Sequence, residues 1–413
     1  MRILHTSDWH IGKKLLGFDL AMDHKLFFGW LIETIRKQKV DVLVVAGDIF
    51  DQANPSKTSE SAYYKFLIDL HQTSCKHVII TGGNHDGIGT LDAPKEVLKI
   101  LNVTTISSAT ENVEDEIIEI RNQQEELELV VCAIPFLRDK EIRQAVAGES
   151  YDDKIQQTRE GILRHYQVLG EICEKRYSQE TPIMATGHLF AQGVSNESDS
   201  VRDIHIGNQA AINASGFHGR FDYVALGHIH RPQKLSAPML VRYSGSPIPL
   251  SFTEKNYEHS VVLLETTPDR ERLLTTTIIS VPVFRKLISI KGNMEEICHQ
   301  LNKIKRLGEL PTLVEVNVEE DEYNPGLLLE LEQLTDEFQQ KAEENQFQIV
   351  KKKIYFRKKT QGADELFTDL IDMEEMTAEN IFLKRLSQEE IPETVSLDLQ
   401  LAFKEIMETI PNK

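Results

Sequence analysis

Two histidines flank one isoleucine in the segment LGHIHRP, which places His228 and His230 directly after a glycine. In an extended chain, residues i and i+2 point to the same side, so both imidazoles can reach into one pocket. The segment SDWH repeats this spacing with Asp8 and His10. Imidazole and carboxylate groups paired in this way are candidate metal ligands, although two solvated loop histidines would give the same pattern.

Similar polar clusters follow other apolar segments of the chain. AGDIFD contains Asp48, GGNHD contains Asn84 and His85, and TGH contains His188. Carboxylate, amide oxygen and imidazole donors without a thiolate suit Mn²⁺, Fe²⁺ or Zn²⁺. Seven ligands drawn from these eight side chains exceed the needs of one tetrahedral zinc, but they fit two metals about 3.5–4 Å apart that share a bridging carboxylate. Such a pair can clamp a phosphodiester and promote in-line attack of hydroxide on phosphorus.

Each motif also has a purely structural explanation. SDWH and Asp48 are compatible with helix caps, GNHD is compatible with a turn, and His188 is compatible with a hydrogen-bonded histidine of the core. All of these explanations would have to hold together, at strand ends of one domain. A shared metal centre accounts for the clusters at once, and we therefore prefer it.

The elements that must position these side chains form an α/β pattern over the first two-thirds of the chain. Helical periodicity at residues 22–37, 59–71 and 153–176 alternates with continuous apolar segments. Strands of this kind are buried on both faces, which predicts a layered α/β fold with a central sheet. The polar clusters stand at strand ends, where α/β proteins place their chemistry. The predicted strands are MRILHTSD, VDVLVVAGD, KHVIITGGN, LELVVCAIP, TPIMATGH, FDYVALGH and HSVVLLET.

A change of pattern near Val283 indicates two further units after a first domain of residues 1–282. Residues 283–360 follow a β-α-β-α-β order, from FRKLISIKG to FQIVKKKIYFRKK, which predicts a small α+β domain. Residues 361–413 are acidic and helical but too few for a core of their own. We expect this tail to pack on this chain or to dock on another one.

The composition limits the classes of function. A formal net charge of −19 over 413 residues counts against a broad basic surface for nucleic acid. The four cysteines form no CxxC pair, which argues against a thiolate zinc site and fits a reducing cytoplasm. The chain has neither an apolar run of about 18 residues nor a signal leader, so no membrane association is expected.

A few cations are nevertheless candidates for contacts with a phosphate backbone. Guanidinium groups bind phosphate oxygens in a bidentate manner, and alternate lysines of a strand face solvent together. Ordinary surface ion pairs and a solvated strand face are the alternatives. The candidates are Arg202, Arg231, Arg242, Lys351 and Lys353.

The motifs D-x-H, G-D-x-x-D, G-N-H-D, G-H and G-H-x-H, in this order, resemble those of the calcineurin-like metallophosphoesterases. Within residues 1–266, IPFLR, VRDIHIG and SGSPIPLSF are similar to the family of bacterial SbcD nuclease subunits, which is related to archaeal and eukaryotic double-strand-break repair nucleases. The resemblance implies a metallophosphoesterase β-sandwich flanked by helices, a capping domain and a helical tail that docks on an SbcC-type coiled-coil ATPase. It also implies a cytoplasmic, nucleoid-associated Mn²⁺ nuclease of DNA repair, recombination and replication, with exonuclease activity on duplex ends and endonuclease activity on single strands or hairpins.

The same resemblance implies a role for each candidate residue. His85 would lie over the scissile phosphate and protonate or stabilise the leaving oxygen, and Asp51 would orient its imidazole. ATP would be used only by the partner, because the chain has no P-loop, and two nuclease subunits would dimerise and assemble with two ATPase subunits. The implied ligands are Asp8, His10 and His230 for the first metal, Asn84, His188 and His228 for the second, and Asp48 as the bridge.

Two other functions stay open. The first is a phosphomonoesterase or small-substrate phosphodiesterase with the same two metals, because two-metal chemistry does not choose between DNA and a small phosphodiester. The second is a structural adaptor with a spent site, whose tail recruits a partner. Cleavage of duplex DNA against small phosphodiesters separates the first from a nuclease, and any metal-dependent cleavage excludes the second.

Overall fold

A computed structural model describes residues 1–122, 124–143, 149–192, 211–267, 274–305, 308–320, 324, 326–341, 346–356, 386, 399, 400 and 403. Within them, the strands are β1 (Arg2–Thr6), β2 (Lys14–Leu15), β3 (Phe18–Asp19), β4 (Val42–Ala46), β5 (His77–Thr81), β6 (Val103–Ile106), β7 (Ile117–Arg121), β8 (Leu127–Cys132), β9 (Ile183–His188), β10 (Ala191–Gln192), β11 (Ile212–Asn213), β12 (Tyr223–Gly227), β13 (Gln233–Leu235), β14 (Leu240–Tyr243), β15 (Ser260–Thr266), β16 (Leu274–Ser280), β17 (Leu287–Gly292), β18 (Thr312–Glu320) and β19 (Phe347–Phe356). The helices are α1 (Ala21–Gln38), α2 (Lys57–His71), α3 (Ile88–Asp92), α4 (Lys95–Leu98), α5 (Asp139–Ile142), α6 (Tyr151–Arg176), α7 (Met294–Leu301) and α8 (Leu327–Lys341).

Two six-stranded sheets pack face to face and form the first part of the molecule. The strand order is β16-β15-β1-β4-β5-β6 in the first sheet and β13-β14-β12-β9-β8-β7 in the second. In the centre of each sheet, neighbouring strands run parallel. Fully buried side chains of both sheets, such as Val44 and Met184, fill the layer between them. The predicted layered α/β sandwich is confirmed.

Helices cover the outer faces of both sheets. α1 and α2 pack their apolar faces on the first sheet, and α6 packs on the second. Local sequence sets their ends: Ser56 Oγ accepts the Ser59 N–H at 3.1 Å at the start of α2, and Ser150 and Asp153 form a capping box at the start of α6. The three helices predicted in this part of the chain are present, with ends within two residues of those expected.

A third sheet of three parallel strands, in the order β17-β18-β19, follows the sandwich. α7 and α8 provide the two crossovers that parallel neighbours require, and their apolar faces form a separate core with this sheet. The β-α-β-α-β order is therefore as expected, and the boundaries at residues 282 and 360 stay our proposal. The predicted tail helices lie outside the described residues, apart from four isolated positions. Over the described residues, no helix is long and apolar enough to cross a membrane.

A buried ion pair ties the segment before β17 to α1. Arg285 Nε lies 2.8 Å from Asp23 Oδ1, and each side chain is only 4% exposed. The same guanidinium donates to the Pro311 carbonyl at 2.7 Å and lies 4.7 Å from the centre of the Phe18 ring. A charge in such apolar surroundings is tolerated only when it is paired and hydrogen-bonded, so this pair fixes the third sheet against the sandwich.

We expect Arg285→Ala to lower the free energy of unfolding by about 3–5 kcal/mol, because Asp23 would keep a buried charge without its partner. The matched control is Arg36→Ala in the exposed last turn of α1, which should cost less than about 1 kcal/mol. Urea unfolding followed by circular dichroism measures both variants. Equal losses of stability for the two arginines would contradict the structural role of the pair.

Candidate metal centre

The predicted ligands converge at one end of the sandwich. They lie in loops that leave β1, β4 and β5 of the first sheet, or at and after the ends of β9 and β12 of the second. β1, β4 and β5 are adjacent and parallel, as are β9 and β12. The carboxyl ends of parallel strands meet at the same edge of a sheet, so clusters far apart in sequence become neighbours. The residues brought together are Asp8, His10, Asp48, Asn84, His85, His188, His228 and His230.

Left-handed backbone conformations direct several of these side chains. Asp8, His10 and Asp48 have φ values of 53°, 47° and 51°, and His228 has a φ of 97°. Such values are uncommon for residues other than glycine and cluster at functional sites. The i, i+2 pairs therefore converge through left-handed residues just after β1 and β12, and not along the extended backbone that their spacing suggested.

Two glycines allow the ligand loops to approach each other closely. A Cβ on Gly47, whose φ is 84°, would overlap His188 Nδ1. A Cβ on Gly83 would overlap the carboxylate and backbone nitrogen of Asp48. Any larger residue at either position would push the loops apart, which explains the glycine in the GD and GNH segments.

Asp8, His10 and His230 form the first cluster of donors. One ligand atom of each lies within 4.8 Å of the others, and the His10 and His230 rings are 5.1 Å apart. Asp8 is fully buried. Its Oδ1 accepts the backbone N–H of His228 at 2.8 Å, and its Oδ2 accepts the Ser7 hydroxyl. These contacts hold the carboxylate in place beside the two imidazoles.

Asn84, His188 and His228 form the second cluster. Asn84 Oδ1 lies 3.0 Å from His188 Nε2 and 3.2 Å from His228 Nδ1. On the opposite side of its ring, His188 Nδ1 donates to the Ala46 carbonyl at 3.0 Å. That hydrogen bond leaves His188 Nε2 as the nitrogen with a lone pair toward the centre.

Asp48 lies between the two clusters. Its Oδ2 is 3.3 Å from His10 Nε2 and 3.2 Å from His188 Nε2. Its Oδ1 accepts the backbone N–H of His85 at 3.0 Å. One buried carboxylate thus reaches an imidazole of each cluster, which is the geometry that a bridging ligand needs.

The centre fits divalent cations. Both ring nitrogens of His10, Nε2 of His228 and Oδ1 of Asp51 are buried, and none has a partner with hydrogen-bond geometry among the described residues. Buried polar atoms without partners are costly and rare. Carboxylate, amide and imidazole donors around them are the set that binds divalent transition metals, so a metal ion in the first cluster would supply the partner that His10 Nε2, beside Asp48, lacks.

The electrostatics also favour cations. Burial opposes the charged form of His10, but the Asp48 carboxylate, 3.3 Å from its Nε2, raises the pKa of His10 to about 10. Burial likewise opposes the charge of His188, whereas the Asp48 carboxylate raises the pKa of His188 to about 9. Burial and the neighbouring His188 lower the pKa of His228 to about 3. The negative charge of Asp48 that raises the pKa values of His10 and His188 would also favour a divalent cation at the centre, where metal and protons compete for the same nitrogens.

His85 and Asp51 lie at the mouth of the centre, in an arrangement that differs from the one expected. His85 is exposed, and its Nδ1 lies 2.9 Å from the backbone carbonyl oxygen of Asp51. The Asp51 carboxylate has no hydrogen bond to His85 among the described contacts, although an oxygen of it lies within 4.8 Å of a ring nitrogen of His85. Its Oδ1 lies 3.3 Å from His10 Nδ1 and 3.3 Å from Lys13 Nζ. The carbonyl thus orients His85, because the loop turns the Asp51 side chain inward toward the positive charges of His10 and Lys13.

Two buried carboxylates support the centre and were not singled out from the sequence. Asp86 accepts the backbone N–H groups of Ile49, Phe50 and Gly83 at 2.8–3.1 Å, and it thereby joins the loops that follow β4 and β5. Glu254 lies 2.8 Å from His230 Nδ1. Asp86 ends the GNHD motif, which was a usable signal, whereas nothing in the spacing of Glu254 indicated its contact.

The described cations among those proposed for DNA contacts have separate surroundings and do not form one group. Arg231 is exposed, with its guanidinium 6.0 Å from the centre of the Tyr257 ring. Arg242 lies close enough to the buried His5 to add to the effect of burial, which lowers the pKa of His5 to about 3. Lys351 pairs with Glu315 at 3.6 Å, and Lys353 is half-buried on β19. Arg202 lies outside the described residues.

Comparisons with protein families agree with this architecture. The calcineurin-like phosphoesterase family matches residues 1–232. A family described as the type 5 capsule protein repressor C-terminal domain matches residues 283–390. The first match covers every loop that carries a predicted ligand, and the second begins at the end of the sandwich.

Curated relatives are similar over most of the chain. The sequence is 34% identical over 415 residues to the SbcD subunit of the SbcCD nuclease of Escherichia coli (strain K12), with 99% of this chain and 98% of that protein covered. It is 33% identical over 278 residues to the protein of the same name from Rhodobacter capsulatus, with 64% and 66% covered. For the Bacillus subtilis protein of that name, the identity is 31% over 285 residues, with 68% and 70% covered.

Proposed function

Since this chain belongs to the SbcD-type nuclease subunits of the calcineurin-like phosphoesterase family, and is thus a phosphodiester hydrolase, we propose that it cleaves DNA with two divalent metal ions, preferably Mn²⁺. The protein would act as an exonuclease on duplex ends and as an endonuclease on single strands or hairpins. One observation carries the proposal: Asp48 stands between two clusters of donors, within 3.3 Å of an imidazole from each.

The residues of the centre divide the work of phosphodiester hydrolysis. When bound, two divalent ions would supply a nucleophile from water and neutralise negative charge on the phosphate oxygens. We assign Asp8, His10 and His230 to the first ion and Asn84, His188 and His228 to the second, with Asp48 shared. Hydrogen bonds to the Ala46 carbonyl and to Ser7 orient His188 and Asp8 before any ion binds, so little reorganisation is needed.

Among the described imidazoles at the centre, His85 is the exposed one and is therefore free to meet a substrate. Its Nδ1 faces the Asp51 carbonyl oxygen, which can only accept a hydrogen bond, so Nδ1 carries the proton. Nε2 is then the nitrogen left available to a substrate. We propose that His85 donates a proton or a hydrogen bond from Nε2, in its protonated form, to the oxygen that leaves phosphorus.

The substrate class is tested by comparing linear duplex and hairpin DNA with a small phosphodiester such as bis-p-nitrophenyl phosphate, with purified protein and Mn²⁺. We expect DNA to have the higher kcat/KM and a chelator to abolish both reactions. Hydrolysis of the small substrate without cleavage of DNA would leave the metal centre intact but overturn the DNA assignment. Absence of all hydrolysis by metal-loaded protein would favour the adaptor.

We also propose an SbcC-type ATPase partner, in an assembly of two nuclease and two ATPase subunits, located with the DNA in the cytoplasm. Two observations support a partner: relatives are named as subunits of SbcCD, and the formal net charge of −19 counts against a broad basic surface for DNA on this chain. DNA contacts by Arg202, Arg231, Arg242, Lys351 and Lys353 stay part of this proposal. Dimerisation through the nuclease domain is also part of it.

Residues 361–413 are the segment proposed to dock on the ATPase. Their removal should abolish co-purification with the ATPase partner, because the remaining chain would lose the segment proposed to dock on it, and should leave Mn²⁺ binding unchanged. Co-expression of the two tagged proteins, followed by calorimetry on the truncated nuclease alone, measures both effects. Full recovery of the complex after truncation would place the docking surface elsewhere on the chain.

A further inference from the structure

His230 has a carboxylate on the side of its ring that faces away from the other ligands. Glu254 Oε1 lies 2.8 Å from His230 Nδ1, although the two residues are separated by 24 positions in the sequence. His230 lies in the loop between β12 and β13, and Glu254 lies in the segment between β14 and β15. The contact exists because the segment between β14 and β15 folds back beneath the LGHIHRP loop.

Glu254 is itself held in a built site. It is 4% exposed and ends the short 3₁₀ turn Phe252–Glu254. Its Oε2 accepts the Ser246 hydroxyl at 3.1 Å and the Leu250 N–H at 3.0 Å. The next residue, Lys255, donates to Ser289 Oγ on β17 at 2.6 Å, so the turn is also anchored to the third sheet. A buried carboxylate with both oxygens engaged is fixed in position before any ligand binds.

The carboxylate determines which ring nitrogen of His230 is available. A carboxylate only accepts hydrogen bonds, so Nδ1 must carry the proton that lies between the two groups. In neutral imidazole, the lone pair is then on Nε2. The backbone carbonyl of Ala46 likewise favours the proton on Nδ1 of His188. Unlike that carbonyl, the Glu254 side chain can be removed by mutation.

We propose that Glu254 is a positioning residue that holds His230 as the Nδ1-protonated tautomer, with Nε2 presented to the first metal. The inference rests on the two-metal centre proposed above. Glu254 touches neither substrate nor metal in this arrangement. It acts through His230 by fixing the ring orientation and by increasing the basicity of the ligating nitrogen.

Calorimetric titration of the metal-free, full-length protein with Mn²⁺ tests the inference without reference to cleavage. We expect Glu254→Ala to weaken one of the two Mn²⁺ sites about 10–100-fold and to leave the other within a few-fold of wild type. Glu254→Gln keeps an acceptor but not the charge, and it should recover part of the affinity. The matched control is Glu258→Ala, at an exposed position four residues later, which should bind both ions as wild type does.

A second measurement keeps the inference testable if Glu254→Ala does not fold. Wild-type protein labelled with ¹⁵N-histidine and loaded with diamagnetic Zn²⁺ reports the protonated nitrogen of each ring by NMR, and His230→Gln assigns its signal. We expect His230 to be protonated on Nδ1. Protonation on Nε2 would overturn the inference, as would wild-type affinity at both sites in Glu254→Ala. If wild type itself bound no metal, the proposed two-metal function would fail instead, so the two failures are distinguishable.

Discussion

Replacement of His85 by glutamine should lower single-turnover cleavage of duplex DNA by about 10²–10⁴-fold, the range that a positioned general acid contributes, while both Mn²⁺ ions still bind. The exposed ring of His85 stands over the centre, 4.8 Å from the His10 ring. Apart from this ring contact, its described hydrogen bond to a predicted ligand is the one from its backbone N–H to Asp48. That backbone contact survives the substitution, so the metal centre should stay assembled.

The control for this prediction is His71→Gln, the same substitution at an exposed position in the last turn of α2. It should cleave DNA at the wild-type rate. Quench-flow measurements under enzyme excess give the rate of chemistry, and calorimetry gives the number of Mn²⁺ ions bound. A His85→Gln variant that binds both ions and cleaves within about 3-fold of wild type would remove His85 from the catalytic step.

The role of Asp51 is tested in the same assay. Asp51→Asn keeps the backbone carbonyl that faces His85 Nδ1, and it changes only the carboxylate beside His10 and Lys13. We therefore expect Asp51→Asn to slow cleavage much less than His85→Gln does and to weaken Mn²⁺ binding modestly. A loss of cleavage as large as that of His85→Gln, with metal binding unchanged, would instead support the carboxylate as the group that orients His85.

The arrangement of the ligand loops was predictable because it follows from strand order and residue type. Continuous apolar strands gave the positions of β1, β4, β5, β9 and β12, and the polar residues at their ends mark one edge of a sandwich. The glycine before Asp48 was visible in the sequence too, although only the structure shows that a Cβ there would meet His188. Local pattern and the chemistry of metal ligands were sufficient for this part of the site.

The supporting contacts were not predictable, because they depend on how distant loops pack. The Asp51 carboxylate and carbonyl are equally available in the sequence, and only the left-handed turn at Asp48 and the positions of His10 and Lys13 decide which one meets His85. Glu254 follows the SGSPIPLSF segment by two positions, but its contact with His230 requires the turn before β15 to fold back under another loop. A sequence pattern specifies residue types at strand ends, but it does not specify which distant loops fold back against each other.

Asp48→Asn should be the most damaging substitution for metal binding, with both Mn²⁺ sites weakened by more than about 100-fold and DNA cleavage lost. Asp48 Oδ2 is the atom within 3.3 Å of both His10 Nε2 and His188 Nε2, and asparagine would remove the charge that a bridging ligand shares between two cations. The matched control is Asp69→Asn in the exposed Lys65–Asp69 pair of α2, which should leave metal binding unchanged. Calorimetric titration with Mn²⁺ counts the sites in each variant. Retention of either ion at wild-type affinity would contradict a shared carboxylate, because replacing a ligand of both ions must weaken both sites.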